Sequence, residues 1–178
     1  VAKEDNREEW VEFGEDNDMF NFILDRYNNS TTNNAIINNT SRLIFGRGLG
    51  CVDASRKPNE YANAISLFSK HTVRNMSKDL KVLGQCAVQV IYSKDRKKIA
   101  RVEHIPVHLL RPEKCDEKGE INGYYFCNDW SDTKKFVPQR IDAFGKSKSD
   151  IEIMYIKPYS INMKYFALPD WYGGLKYA

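Results

Sequence analysis

The chain has 178 residues, 42% of them hydrophobic and 29% charged, which is enough for one domain with a packed core and too little for two independent ones. Lys and Arg (27) nearly cancel Asp and Glu (24), and a net charge of +3 excludes a strongly basic nucleic-acid binder as a whole-chain reading. No apolar run approaches the ~20 residues needed to cross a bilayer, so no membrane partner is expected.

Residues 1–16 carry nine charges, with Trp10, Val11 and Phe13 as the only anchors, and read as a flexible N-terminal arm and a poor core candidate. From Asp18 the pattern changes. Met19, Phe20, Ile23, Leu24 and Tyr27 recur on one face of a first helix, and residues 17–178 read as one domain. The Asn28–Asn34 cluster is turn chemistry, with Thr31 or Thr32 as the cap of a second helix that carries Ile36, Ile37, Thr40, Leu43 and Ile44 on one side. Gly46 and Gly48 should end it. A third, longer helix is expected from Asn59 as cap to Gly84, with Tyr61, Ile65, Phe68, Thr72, Met76, Leu80 and Leu83 along one stripe. At ~1.5 Å per residue it would be roughly 36 Å long.

The period then switches to two. Cys86–Tyr92 and Ile99–Ile105, joined by the charged turn Lys94–Lys98, read as a hairpin. Pro106 and Pro112 make Val107–Leu110 an edge strand or crossing, and Ile121–Asn128, Lys134–Pro138 and Ile151–Lys157 read as further strands. Helices first and an antiparallel β-meander after them give an α+β fold. After Pro169, Asp170 reads as the cap of an apolar helix, Trp171–Ala178, that is cut short, so the chain is read as a fragment of a longer polypeptide.

Several motifs invite chemistry. The glycines of Phe45-Gly46-Arg47-Gly48-Leu49-Gly50 match neither GxGxxG nor GxxxxGK[ST], and a helix precedes them, so a helix stop is the reading. His104, His108, Cys115 and Cys127 have zinc-ligand types, but the thiols are eleven residues apart and Pro106 separates the histidines. No nucleophile elbow or paired carboxylates occur, and His71 reads as a surface or interface residue of the long helix. The four cysteines, Cys51 among them and Cys86 in the first strand, lack CxxC spacing, and with acidic, polar leading residues they are expected to be reduced. The five Asn-x-Ser/Thr triplets, at Asn28, Asn29, Asn38, Asn39 and Asn75, reflect an Asn-rich composition. Lys94, Arg96, Lys97 and Lys98 form a basic hairpin tip, a solvated turn or a contact for DNA phosphate. Tyr124, Tyr125, Phe126 and Trp130 read as core or subunit-interface packing.

Ala35–Leu49 ends in Ile44-Phe45-Gly46-Arg47-Gly48-Leu49, a long helical stretch Glu60–Leu83 follows, and Ile99–Glu113 closes on His108-Leu109-Leu110-Arg111-Pro112. Together these resemble the wing region of tailed-phage portal proteins. Tyr165-Phe166-Ala167-Leu168-Pro169-Asp170-Trp171-Tyr172-Gly173 is similar to the stretch that precedes the stem in that family. The resemblance implies a structural subunit of a closed, usually dodecameric ring at a capsid vertex of the virion, assembled in the host cytoplasm. It implies no catalytic residue, cofactor or metal of its own. The implied partners are further copies of the chain, the terminase motor, capsid and head-completion proteins, and the double-stranded DNA that passes through the channel. Residues for the head-to-tail subunit interface are then Arg47 and Leu49 in the Gly46–Cys51 loop, the exposed side of the long helix, and Tyr124, Tyr125 and Trp130. The rival reading is an α+β interaction or nucleic-acid-binding domain of a bacterial protein.

Overall fold

Two short strands, β1 (Ala2–Glu4) and β2 (Val11–Phe13), open the computed structural model and pair antiparallel, Ala2 opposite Phe13 and Glu4 opposite Val11. The structure describes residues 2–5 and 8–177; Val1, Asn6 and Arg7 of the expected arm and Ala178 of the expected terminal helix lie outside them. Val11 and Phe13 are fully buried, which corrects the reading of this segment as a poor core candidate. Three residues of period-two alternation are too short a signal to stand out among nine charges.

Helix α1 (Met19–Asn29) buries Phe20, Ile23 and Tyr27, the face that the spacing predicts. Helix α2 (Thr31–Phe45) starts one residue earlier than expected, because the Ser30 side chain accepts the Asn33 N–H, and it ends at Gly46, whose N–H donates to the Arg42 carbonyl. Its packed side is a correction. Only Ile37 and Ser41 are buried, whereas Ile36, Leu43 and Ile44 face out. The side that meets the neighbouring helices is polar: the Tyr27 hydroxyl donates to Asn38 Oδ1 at 2.8 Å, and the Lys78 ammonium donates to both. A half-buried lysine so held fixes the rotation of α2, since a turn of the helix would strip its charge of both acceptors.

The single long helix does not form. Helix α3 (Pro58–Leu67) has Pro58 at its first turn, and α4 (Lys70–Leu83) is separate from it. Between them Phe68 is extended and bridges Val102 in parallel, while the Ser69 hydroxyl accepts the Thr72 N–H at 3.1 Å and caps α4. The Ser69 cap and the pull of Phe68 to a sheet edge override the stripe. Replacing Ser69 with Ala is expected to cost about 1 kcal/mol in urea unfolding; an unchanged midpoint would show that Phe68 alone makes the break.

Two three-stranded antiparallel sheets follow. In the first, β3 (Cys86–Tyr92) is central between β4 (Ile99–Ile105), its expected hairpin partner, and β8 (Ile151–Ile156). The second orders β5 (Leu110–Pro112), β6 (Gly123–Phe126) and β7 (Gln139–Asp142). The fold is therefore α+β, as the sequence predicts, but not one continuous meander: β8 leaves the second sheet and returns to β3. Val107–Leu109 is a 3-10 turn ahead of β5, and the strand expected at 134–138 lies at β7 instead. The core closes on Phe166, stacked on Phe13 at 4.2 Å and edge-on to Phe20, and the chain then enters a 3-10 turn, Tyr172–Tyr177, where an α-helix was expected.

Candidate interaction surface

The exposed side of α2 carries three large apolar side chains among exposed Thr31, Thr32, Asn39 and Arg42. Ile36, Leu43 and Ile44 are 60%, 81% and 53% exposed, and Thr40 between them donates its hydroxyl to the Ile36 carbonyl at 2.8 Å, which ties up its polar end. Beyond Gly46 the surface continues through Leu49 and Val52, both exposed. Helix α3 buries none of its side chains. Between it and the Gly46–Gly50 loop runs a groove of about 360 Å³, lined by Leu49, Tyr61, Ile65, Phe68 and Val73, where the Tyr61 hydroxyl donates to the Leu49 carbonyl. Arg42 and Arg47 are exposed and form no ion pair or hydrogen bond through their side chains among the described residues. An amphipathic helix normally buries its apolar stripe; α2 keeps Ile36, Leu43 and Ile44 in water.

Arg47 and Leu49 thus lie on that surface. Tyr124, Tyr125 and Trp130 lie away from it: the two tyrosines pack in the core, one of the two uses expected of them, and Trp130 is half-buried beside a cleft. Tyr124 is buried and stacks on Tyr155 at 5.0 Å, and burial pushes its hydroxyl up to about 12. Tyr125 is buried too, with its hydroxyl on Glu9. Trp130 meets Trp10 edge-on at 5.5 Å and donates its indole N–H to the Leu109 carbonyl. Tyr125 and Trp130 fasten the N-terminal hairpin to the second sheet, a use visible only once Trp10 is known to bridge Glu113.

Beside Trp130 opens a cleft of about 270 Å³ with Asp16, Asn17, Asp18 and Asp129 at its mouth and Arg111 at its floor. Arg111 is 2% exposed and is the largest fully buried side chain among the described residues. Its Nε donates to Asn17 Oδ1, Nη1 to the His108 and Leu110 carbonyls at 2.9 Å, and Nη2 to the Asn17 carbonyl at 3.2 Å. The guanidinium lies between the rings of Phe20 and Trp130, at 5.0 and 4.8 Å. Burial pushes it down to about 10, so it stays charged at neutral pH. The sequence shows this residue only as one arginine in an apolar tripeptide setting, Leu110-Arg111-Pro112, and nothing local signals burial.

The basic tip divides. Lys94, Lys97 and Lys98 are exposed, with no side-chain partner among the described residues, while Arg96 turns inward over the Tyr92 ring and pairs with Glu152 at 3.4 Å. Burial alone raises the Glu152 carboxyl, but the Gly145 N–H, the Tyr92 hydroxyl and Arg96 overrule it and hold the group below its usual range. Next to it the Ser149 hydroxyl, then Ser147 and the Arg140 guanidinium, hold Asp142 down to about 2. A depressed carboxyl stabilises the fold above its unfolded pKa and loses that contribution as pH falls through the folded value. Asp142→Asn is therefore expected to be about 1 kcal/mol less stable at pH 7, with the gap closing between about pH 4 and pH 2. Chemical denaturation across that range would refute this if the gap stayed constant.

The metal-type residues are scattered. His104 Nε2 pairs with Asp79 at 2.8 Å, the Cys127 thiol faces the Asp129 and Phe136 carbonyls, and the Cys115 N–H donates to the Tyr165 hydroxyl. No group of three His, Cys, Asp or Glu side chains among the described residues is placed to hold a metal ion. Cys86 is buried, and burial together with Asp79 pushes its thiol up to about 12, far from a nucleophile. His71 is exposed on α4 and hydrogen-bonds Asn75. No described helix is long and apolar enough to cross a membrane. No protein-family model matches the chain, and no curated protein does either.

Proposed function

We propose that the chain is part of a portal-type ring subunit, a structural protein that surrounds the channel through which phage DNA is packaged and ejected. The observation that carries the reading is the α2–α3 surface: three exposed apolar side chains on α2, a neighbouring groove and a helix without a buried side chain, all in the stretch whose sequence resembles the portal wing. A ring subunit needs such a surface, because every copy must cover part of the next. The reading needs no catalytic constellation and no cofactor. Its partners are further copies, terminase, capsid and head-completion proteins, and double-stranded DNA, for which Lys94, Lys97 and Lys98 are the free phosphate-type contacts.

Electron microscopy with mass determination on the full-length polypeptide tests this. Closed rings with a channel wide enough for duplex DNA are the expected result, and a monomer at every concentration would overturn it. A nucleic-acid-binding domain, favoured only by the three free lysines, would instead give DNA affinity that falls log-linearly with salt in a protein that stays monomeric.

A further inference from the structure

The two ends of a copy-to-copy contact can be assigned from charge and exposure, an assignment that rests on the ring reading. Residues 31–52 hold Arg42 and Arg47 and no acidic residue, and these two cations flank the exposed Ile36, Leu43 and Ile44. Residues 1–18 hold eight Asp and Glu against Lys3 and Arg7. Of these acids, Asp16 and Asp18 stand at the mouth of the Arg111 cleft with Asp129, and none of the three forms an ion pair among the described residues. Trp130 lines the cleft, so an aromatic ring adjoins the acids as apolar side chains adjoin the arginines.

We propose that the α2 face of one copy, led by Arg42, Leu43 and Arg47, docks on the Asp16–Asp18–Asp129 cleft of the next copy. The two surfaces are different, so each copy offers one to either side, and the contact is head-to-tail. An isologous pairing of α2 faces would set Arg42 and Arg47 against their own copies. Like charges across an interface cost free energy, whereas carboxylates without an ion pair of their own, opposite guanidinium groups without one, steer and hold it.

The test uses the full-length polypeptide and two charge reversals at exposed positions, Arg42→Glu with Arg47→Glu, and Asp16→Lys with Asp129→Lys. Far-UV circular dichroism checks that each folds, and the neutral pair Arg42→Gln with Arg47→Gln serves if the reversal does not. Each reversal alone is expected to raise the concentration needed for assembly at least tenfold, and mixing the two in equal amounts should restore it, because each then meets an opposite charge. The neutral pair should raise that concentration less and flatten its dependence on salt. Wild-type rings that both reversals leave intact would overturn this docking and leave the ring reading standing. So would reversals that each block assembly without rescue on mixing, or an acidic-side reversal that assembles like the wild type. A wild-type protein that forms no oligomer at all overturns both.

Discussion

Replacing Arg111 with Met is expected to destabilise the protein by about 3–5 kcal/mol, because four acceptor oxygens lose the donors that satisfy them. Among the described residues the side chain is the largest fully buried one and no carboxylate pairs with it; carbonyl oxygens of Asn17, His108 and Leu110 and the Asn17 amide oxygen surround its charge. Methionine fills much of the volume and supplies no donor, so those acceptors lose their partners, each at about 1–3 kcal/mol where water cannot reach. Asn17 holds a left-handed backbone, φ 58°, and its Oδ1 also accepts the Phe13 N–H at 3.2 Å. The guanidinium therefore fixes the turn that joins the N-terminal hairpin to α1, from 94 residues away in sequence. At about 2–4 °C per kcal/mol for a chain of this size, the melting point should fall by roughly 10 °C. Near-UV circular dichroism would follow the loss through Trp130, which stacks on the guanidinium. Arg111→Lys should also be costly, because an ammonium cannot span four acceptors in a plane. A loss under about 1 kcal/mol for Met would mean that the charge is solvated through the cleft and does not organise the turn.

How much of this was legible in the sequence depends on how local the cause is. The face of α1 and the β3–β4 hairpin follow from periods of 3.6 and 2 and from a charged tip, signals contained within a dozen residues. Gly46 and Gly84 end their helices as expected, since a left-handed or open cap is a local demand. The rotation of α2 was not legible, because the polar cluster of Tyr27, Asn38 and Lys78 that sets it joins three helices. The break at Phe68 was half legible: Ser69-x-x-Thr72 is a cap signal, but the bridge from Phe68 to Val102 is not. For the candidate surface, Arg47 and Leu49 came from the glycine pattern and lie in the open, while Tyr124 and Tyr125 looked equivalent in composition and are consumed by the N-terminal hairpin and by β8.

Gly84 carries the second large effect, and its size separates two causes. Its φ of +75° closes α4, where its N–H donates to the Leu80 carbonyl at 3.0 Å, and a side chain in that conformation costs about 1–2 kcal/mol. In addition, a Cβ there would lie 2.5 Å from the carbonyl carbon and oxygen of Leu168 and 2.6 Å from the Pro169 nitrogen, backbone atoms that cannot swing aside. The segment that passes over it is anchored by Phe166 in the aromatic core and by the Ala167 N–H on Gln85 Oε1, at 2.9 Å. Moving it would disturb both, at a further 1–3 kcal/mol. Gly84→Ala is therefore expected to cost about 2–5 kcal/mol in urea unfolding. Gly145→Ala provides the control, since Gly145 has nearly the same positive φ, +76°, and a Cβ there meets nothing within 4 Å. It should lose about 1–2 kcal/mol, the conformational part alone. Equal losses at the two positions would show that the 165–169 segment yields without cost.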